Sequence, residues 1–211
     1  MKILAISDMV VERLYTAPIA ELFSEVDLIL ACGDLPYEYL EYLVTMSHVP
    51  VLYVPGNHDP QYDPKNAAAR AEGCDHLDLK VQTVKGLNLA GLGGSIRYKP
   101  ASPNQYSQAE MYLRTVSLLP KLLFQRMQTG RKLDIMIAHS PPFGINDDDD
   151  RAHIGFLAFR DLIRIYQPRY FLHGHTLVYK SNLQPSLVQV GSTKVINIYP
   201  YRLLEVDTNV R

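Results

Sequence analysis

The chain has 211 residues, of which 47% are hydrophobic and 20% charged, and its formal net charge is -1. That length and composition predict one globular domain over residues 1–211, and the near-neutral charge argues against a nucleic-acid polymer as partner, since nucleic-acid-binding domains are usually strongly basic. Two cysteines are too few for a disulfide framework, and the first apolar run reaches Asp8 too soon for a signal peptide or a membrane span. We therefore expect a cytoplasmic protein without membrane association.

Short apolar runs that stop at a polar residue recur along the chain. In chain order the five runs are KILAIS before Asp8, VDLILAC before Gly33 and Asp34, VLYVP before Gly56 to Asp59, LDIMIA before His139, and YFL before His173 to His175. Runs this short and this apolar are typical of strands that are covered on both faces. Each run therefore predicts a buried strand that ends at its polar residue.

Helical stretches lie between these runs. LPYEYLEYLVTM (35–46) and GFLAFRDLIRIY (155–166) place apolar residues three and four positions apart, and residues 105–128 are helix-like in composition, although we expect Pro120 to kink or split that helix. Alternating strands and helices predict an α/β architecture with at least one largely parallel sheet. Two helix-free stretches, 81–95 and 186–207, predict a second, more antiparallel sheet stacked on the first.

Polar side chains at successive strand ends are the strongest functional signal in the sequence. Each one alone has an ordinary explanation as a helix cap, a turn residue or a hydrogen-bonded loop histidine. Asp8, Asp34, Asn57, His139 and His175 nevertheless all fall at the carboxyl ends of predicted strands, where α/β folds bind ligands, and a glycine precedes three of them. Carboxylates, an amide oxygen and imidazoles without a thiolate favour Mn, Fe or Zn over calcium or a structural zinc. We therefore predict a metal centre at this edge.

Together these residues resemble the signature of the calcineurin-like metallophosphoesterases over nearly the whole chain. The family signature runs D-x-H, GD, GNH followed by Asp or Glu, a lone His, and G-H-x-H, and it is matched here by Asp8-Met9-Val10, Gly33-Asp34, Gly56-Asn57-His58-Asp59, His139, and Gly174-His175-Thr176-Leu177. The resemblance implies a four-layer α/β/β/α sandwich of two mixed β-sheets flanked by helices. It also implies a hydrolase that cleaves a small-molecule phosphoester with one or two divalent metal ions (Mn, Fe, Zn or Mg).

The resemblance further implies how the metal ligands are shared between two ions. Asp34 would bridge both metals. Asn57, His139 and His175 would complete the shell of the second metal, and Asp8 would belong to the first. Two metals held in this way activate a water molecule and neutralise charge on the phosphate, which is a standard arrangement for phosphoryl hydrolysis.

Two positions depart from the family signature, and both belong to the first metal. Val10 stands where D-x-H has its histidine, and Leu177 stands where G-H-x-H has its last histidine. The first site is therefore either empty or rebuilt from other residues, and an oxygen-rich version would tolerate Mn or Mg. Glu12 is a candidate replacement ligand, unless it is a solvated glutamate at a helix start. His173 is either a second candidate, because an extended strand would place it on the same face as His175, or a packed, hydrogen-bonded histidine.

Three further residues are candidates for contacts with the phosphate or the substrate. His153 precedes a predicted helix and either reaches the rim of the cleft or serves as a capping or loop histidine. Arg97 and Tyr98 suit bidentate phosphate recognition and stacking on a base, respectively, unless they belong to an ordinary surface loop. The acidic run Asp147–Asp150 is predicted to be a solvated loop, with a charge-screening or gating role as the alternative.

Three functions are compatible with these motifs. The first is a metallophosphoesterase acting on a phosphomonoester or phosphodiester. The resemblance implies that His58 would protonate the departing alkoxide or help to hold the phosphate, and that Asp59 would orient or polarise His58. The second is a catalytically weak or inactive regulatory module that binds metal and phosphate, which Val10 and Leu177 favour. The third is a structural protein stabilised by one ion. We favour the first, because a single Lewis-acid metal can still activate water.

Overall fold

The computed structural model of the chain describes residues 1–16, 25–177 and 186–208. Over these residues the helices are α1 (Arg13–Thr16), α2 (Tyr37–Ser47), α3 (Gln108–Thr129) and α4 (Leu157–Tyr166), with a 3-10 turn at Ala67–Ala69. The strands are β1 (Lys2–Ile6), β2 (Leu28–Ala31), β3 (Val51–Tyr53), β4 (Asp75–His76), β5 (Val81–Val84), β6 (Leu87–Leu92), β7 (Ser95–Ile96), β8 (Gln105–Tyr106), β9 (Ile135–Ala138), β10 (Tyr170–His173), β11 (Leu187–Val190), β12 (Thr193–Asn197) and β13 (Tyr201–Glu205).

Two mixed sheets form the middle of the molecule. The first sheet has the strand order β13-β1-β2-β3-β4, in which β1 to β4 are parallel and β13 runs antiparallel to β1. The second sheet has the order β11-β12-β10-β9-β6-β5, and it is parallel at its centre and antiparallel at both edges. A short parallel pair, β7 and β8, forms a separate ribbon.

Three apolar layers hold the sheets and helices together. One layer lies between the two sheets and contains Ile3, Leu30 and Ile137 among others. A second layer packs α2 against the outer face of the first sheet, and a third packs α3 and α4 against the outer face of the second sheet. The fold is therefore the predicted four-layer α/β/β/α sandwich of two mixed sheets flanked by helices.

The second sheet is less antiparallel than the sequence predicts. Its antiparallel parts are the hairpins β5–β6 and β11–β12, which come from the two helix-free stretches, as predicted. Its centre, however, is built from the parallel strands β9 and β10, and β13 leaves the second helix-free stretch to pair with β1 in the first sheet. The apolar runs of β9 and β10 take the central positions because both of their faces are buried.

The five polar strand ends consequently belong to two sheets rather than to the edge of one. β1, β2 and β3 end in the first sheet, and β9 and β10 end in the second. Stacking brings the two sets of carboxyl ends together, because the His139 side chain after β9 contacts the Cys32 carbonyl oxygen after β2 at 2.8 Å. The candidate centre therefore lies where the two sheets meet.

Helix α3 is continuous, so the expectation that Pro120 would split it is wrong. The helix begins with a capping box, in which the Ser107 hydroxyl accepts from Glu110 N and the Glu110 carboxylate accepts from Ser107 N, and it ends at Gly130 with φ 68°. Packing of its inner face outweighs the backbone hydrogen bond that proline removes; the buried residues of that face are Met111, Thr115, Leu118, Leu122 and Gln125. No helix among the described residues has the length and apolar composition to cross a membrane.

The two sheets are tightly packed at Gly91 in β6. A Cβ atom at this position would lie 2.7 Å from Val54 Cγ1 and 2.8 Å from the Leu77 carbonyl oxygen. We predict that Gly91→Ala lowers the free energy of unfolding by about 1–3 kcal/mol, because the Leu77 carbonyl oxygen, just past the end of β4, has to move. Urea unfolding measures the change, and a loss below about 0.5 kcal/mol would show that the sheets tolerate the added methyl group.

Candidate metal centre

Asp34, His139 and His175 come together beyond the carboxyl ends of β2, β9 and β10. Each residue offers one ligand atom, and the three atoms lie within 4.8 Å of one another. Both histidines are buried and Asp34 is half-buried. A carboxylate and two imidazoles at this spacing match the ligand preferences of Mn, Fe and Zn.

His139 is held in one tautomer by a bond between the sheets. Its Nδ1 lies 2.8 Å from the Cys32 carbonyl oxygen, which can only accept, so Nδ1 donates. Nε2 therefore faces Asn57 Oδ1 at 3.0 Å and Asp34 Oδ2 at 3.4 Å. Burial alone would lower the pKa of His139, but the Asp34 carboxylate raises it to about 9. Two oxygens and a ring nitrogen thus converge on a point that favours positive charge, and the same donors suit a divalent cation.

The buried amide of Asn57 is oriented by Tyr98. Asn57 Nδ2 donates to the Tyr98 hydroxyl oxygen at 3.1 Å, which leaves Asn57 Oδ1 directed at His139. Tyr98 is itself positioned by the buried Gln105, whose Oε1 accepts from Tyr98 N at 3.2 Å and Lys99 N at 3.1 Å. From the sequence, Tyr98 was a candidate only for contact with the substrate. No pattern in the sequence near Tyr98 predicts its contact with Asn57, which lies 41 residues away.

Asp59 connects the loops that follow β2 and β3. Its Oδ2 accepts from Gly56 N at 2.7 Å and from Asp34 N at 2.9 Å. Burial raises the pKa of Asp59 to about 6. We expected Asp59 to orient His58, but in the described structure no hydrogen bond joins the Asp59 carboxylate to the His58 ring. His58 is exposed, and its backbone N donates to Asp34 Oδ1 at 2.8 Å.

Close approaches and left-handed backbone shape these loops. A Cβ atom at Gly56 would lie 2.5 Å from Asp34 N, and one at Gly174 would overlap the Asp8 carboxylate. Asp8, Asp34 and His175 have φ of 63°, 54° and 67°, in the region that favours glycine. Non-glycine residues with this strained backbone are concentrated at functional sites. They persist only where contacts with the surrounding structure hold the backbone in that conformation.

Asp8 contacts the centre through the backbone of His175. Its two carboxylate oxygens accept from His175 N at 3.1 Å and 2.9 Å, and burial raises the pKa of this carboxyl. His175 Nε2 donates to the Ala152 carbonyl oxygen at 2.8 Å, which leaves Nδ1 with its lone pair. Asp8 therefore contacts the His175 backbone, and its carboxylate is not part of the group formed by Asp34, His139 and His175.

The acidic run Asp147–Asp150 lies in a loop, as predicted, with Asp149 and Asp150 exposed, and two of its carboxylates make local contacts. Asp147 Oδ2 accepts from Gly155 N at 3.0 Å, and Asp150 Oδ2 lies 2.7 Å from His153 Nδ1. The His153 ring stands 4.9 Å from the His175 ring, measured between centroids. His153 thus lies at the rim of the site, as one of its two sequence-based interpretations proposed.

The positions that depart from the family signature are occupied by partly buried apolar side chains. Val10 packs against the apolar layer between α2 and the first sheet, and Leu177 is half-buried. Glu12 is exposed, and it does not join the group at Asp34. Within the described residues there is no second group of three or more His, Cys, Asp or Glu side chains close enough to hold an ion.

His173 is a buried, hydrogen-bonded histidine outside the group formed by Asp34, His139 and His175. It is fully buried, its Nδ1 lies 3.0 Å from the Gly174 carbonyl oxygen, and its Nε2 lies 3.4 Å from Asn146 Nδ2. Burial lowers the pKa of His173 to about 4. The expectation that it would share a face with His175 is wrong, because β10 ends at His173 and His175 adopts a left-handed backbone instead of an extended one.

Arg97 is held at the start of α3. Its Nη2 lies 3.0 Å from the Glu110 carboxylate and 3.0 Å from the Gln105 carbonyl oxygen. These contacts engage the guanidinium outside the centre. The phosphate-binding role considered for Arg97 would require it to leave both partners.

A cleft of about 690 Å³ opens beside the candidate ligands. His58 and Asp59 line it together with Asp34. Glu38, Glu41 and Glu72 add three carboxyl groups to the cleft. Among the described residues that line it there is no lysine or arginine. A phosphate group would be repelled by this lining unless a cation were bound at the centre.

Comparisons with known proteins bear on the family and the fold of this chain. The family model of the calcineurin-like phosphoesterases matches residues 1–179. The uncharacterized protein MJ1162 of Methanocaldococcus jannaschii is 27% identical over 222 residues, which cover 99% of this chain and 92% of that protein. One crystal structure matches with a TM-score of 0.70 and 18% identity over 96% of this chain and 94% of the other chain. The crystal structure of TT1561 of Thermus thermophilus matches with a TM-score of 0.58 and 17% identity over 93% and 88%, and both likenesses bear on the fold alone. Because the family model covers most of its length, this chain belongs to the calcineurin-like phosphoesterases, a metal-dependent family.

Proposed function

We propose that the chain is a metal-dependent phosphoesterase that hydrolyses a small-molecule phosphomonoester or phosphodiester. The observation that carries this proposal is the convergence of Asp34 Oδ2 and Asn57 Oδ1 on His139 Nε2, at 3.4 Å and 3.0 Å, with His175 in the same group. A divalent ion held there (Mn, Fe, Zn or Mg) supplies Lewis-acid activation of water and neutralises charge on the phosphate.

The surrounding residues have separate tasks in this scheme. Asp34, Asn57, His139 and His175 would hold the ion. Asp59 keeps the loops after β2 and β3 together through two backbone amides. His58 is exposed in the cleft and adjoins Asn57 in the chain, so its ring is placed to give a proton to the departing alcohol.

The charge of the cleft favours a small substrate over a polymer. Carboxyl groups line the cleft, and the chain as a whole has a net charge of -1. A nucleic-acid polymer would bring many phosphates to this surface, whereas one phosphoester needs only the cation at the centre. We propose a small phosphoester as the partner on this ground.

A second candidate function is a regulatory module that binds metal and phosphate with little or no turnover. Val10 and Leu177 favour it, since both replace histidines of the first metal, and the Asp8 carboxylate is engaged with the His175 backbone. We propose that the first site is altered in either case. Turnover distinguishes the two functions.

The proposed roles of Asp34 and His58 predict that substitutions at these two residues affect metal binding and hydrolysis differently. Asp34→Ala should lose both bound metal and hydrolysis. His58→Gln should keep the metal and lower kcat about 100-fold, because a proton donor is removed without a ligand. Elemental analysis of the purified protein gives the metal content, and p-nitrophenyl phosphate and bis(p-nitrophenyl) phosphate, with and without added Mn, report turnover.

Asp75→Ala is the matched control for this pair, since Asp75 is an exposed carboxylate in β4. It should leave both metal content and turnover unchanged. Equal turnover by the Asp34→Ala variant and the unchanged protein, under every divalent metal tried, would reject the enzyme. Metal binding without turnover would favour the regulatory module.

Tyr98→Phe should weaken metal binding about 10-fold, because the Asn57 amide loses the partner that orients it. The effect should be smaller in an Asn57→Asp background, since the two oxygens of a carboxylate are equivalent. Competition with a chelating dye measures the metal dissociation constant. Tyr201→Phe, at an exposed tyrosine of β13, is the control; equal losses in both backgrounds would mean that Tyr98 does not act through amide orientation.

Val10→His combined with Leu177→His should raise the number of ions bound per chain. The described residues contain no second ligand group, so the change restores family ligands instead of competing with replacements. Titration with Mn followed by electron paramagnetic resonance counts the bound ions. An unchanged count would mean that the altered first site cannot be restored by these two ligands.

A further inference from the structure

Helix α3 has a second apolar face opposite the one that it buries. The exposed fractions of five side chains on that face are 71% for Leu113, 55% for Val116, 54% for Leu123, 61% for Phe124 and 83% for Met127. Pro120 is exposed between them. These six residues, Leu113, Val116, Pro120, Leu123, Phe124 and Met127, are called the outer stripe below.

Helical geometry shows that the outer stripe is not interrupted by polar side chains. At about 100° per residue, the stripe occupies a sector roughly 100° wide that is centred opposite the buried Met111, Leu118 and Leu122. Ala109 is the remaining residue of α3 in that sector, so the sector contains no polar side chain. A helix that is apolar on two opposite faces is normally covered on both.

The spacing of the outer stripe indicates what covers it. Leu113, Val116, Pro120, Leu123 and Met127 follow one another at intervals of three, four, three and four residues. That alternation is the seam by which a helix packs along a second helix. The occupant is therefore a helix that presents a similar seam.

We propose that the outer stripe is a dimer interface, in which α3 packs antiparallel against α3 of a second copy of this chain. A two-fold axis near Pro120 pairs each residue with one at the mirrored position. Leu113 then meets Met127 of the second copy, and Val116 meets Leu123 and Phe124. An interface of this kind uses the same patch on both copies.

Charges at the edges of the stripe fit this register. Arg126, which is exposed at the end of α3, falls opposite Tyr112 of the second copy. The Tyr112 hydroxyl donates to Asp161 Oδ2 at 2.6 Å. The Arg126 guanidinium of one copy would therefore lie near both the Asp161 carboxylate and the Tyr112 ring of the other copy. On the other edge Lys121 lies roughly 110° from the centre of the stripe, and its Nζ donates to the Leu79 carbonyl oxygen of its own copy at 2.6 Å, outside the seam.

The size of the patch is adequate for a dimer. Phe124 exposes on the order of 100 Å², so five such side chains offer about 500 Å² per copy. That value is at the upper end of apolar patches on monomers, which reach about 300–600 Å². With the polar edge included, two copies approach the lower range of specific interfaces, about 1,200 Å² in total.

Sedimentation equilibrium of the full chain tests the proposal. The expected mass is twice the 23.9 kDa of one chain. Leu123→Glu should raise the dimer dissociation constant at least about 100-fold, because it buries a charge in the apolar seam. Leu203→Glu is the matched control, since Leu203 is 52% exposed and lies in β13 at the edge of the other sheet. A wild-type monomer at about 100 µM, or a Leu123→Glu variant that stays dimeric, would overturn the proposal.

Charge reversal tests the register without disturbing the seam. Arg126→Asp alone and Asp161→Arg alone should each raise the dissociation constant about 10-fold, and the two together should restore it. Restoration requires that both residues face each other across a two-fold axis, which neither a different partner helix nor a lipid surface would produce. Failure of the double variant to recover would reject the antiparallel arrangement.

Discussion

The hydrogen bond between His139 Nδ1 and the Cys32 carbonyl oxygen crosses from one sheet to the other, and both groups are buried. It decides which ring nitrogen faces Asp34 and Asn57. It also requires the two sheets to be stacked at one distance, which is set by the apolar layer between them. The candidate centre therefore depends on the packing of the whole sandwich as much as on the loops that carry its ligands.

Local patterns in the sequence predicted the parts of the fold that depend on local physics. Short apolar runs ending in polar residues indicated the central strands and the order of the ligands, because burial and strand ends leave a mark on neighbouring residues. The split of those strands between two sheets was not visible, and neither was the pairing of β13 with β1, which brings Met1 to Val206. The break expected at Pro120 failed because packing outweighed a local preference.

The same distinction holds within the candidate site. The residue types of the candidate ligands are readable in the sequence, but their orienting partners are remote from them. Cys32 and His139 are 107 residues apart, and Tyr98 and Asn57 are 41 apart. Cys32 and Ala152 act through backbone carbonyls, which any residue type supplies. No sequence pattern of this single chain distinguishes such a residue from its neighbours.

The left-handed backbone at Asp8, Asp34 and His175 affects the stability of the folded protein. Each such residue costs of order 1–3 kcal/mol relative to a relaxed conformation, and glycine would avoid most of it. The chain keeps side chains there, so the bare fold is less resistant to heat and proteolysis than its core alone would allow. An ion that binds only the folded chain offsets this cost by mass action. An ion at the candidate centre would therefore stabilise the folded chain in addition to supporting the proposed chemistry.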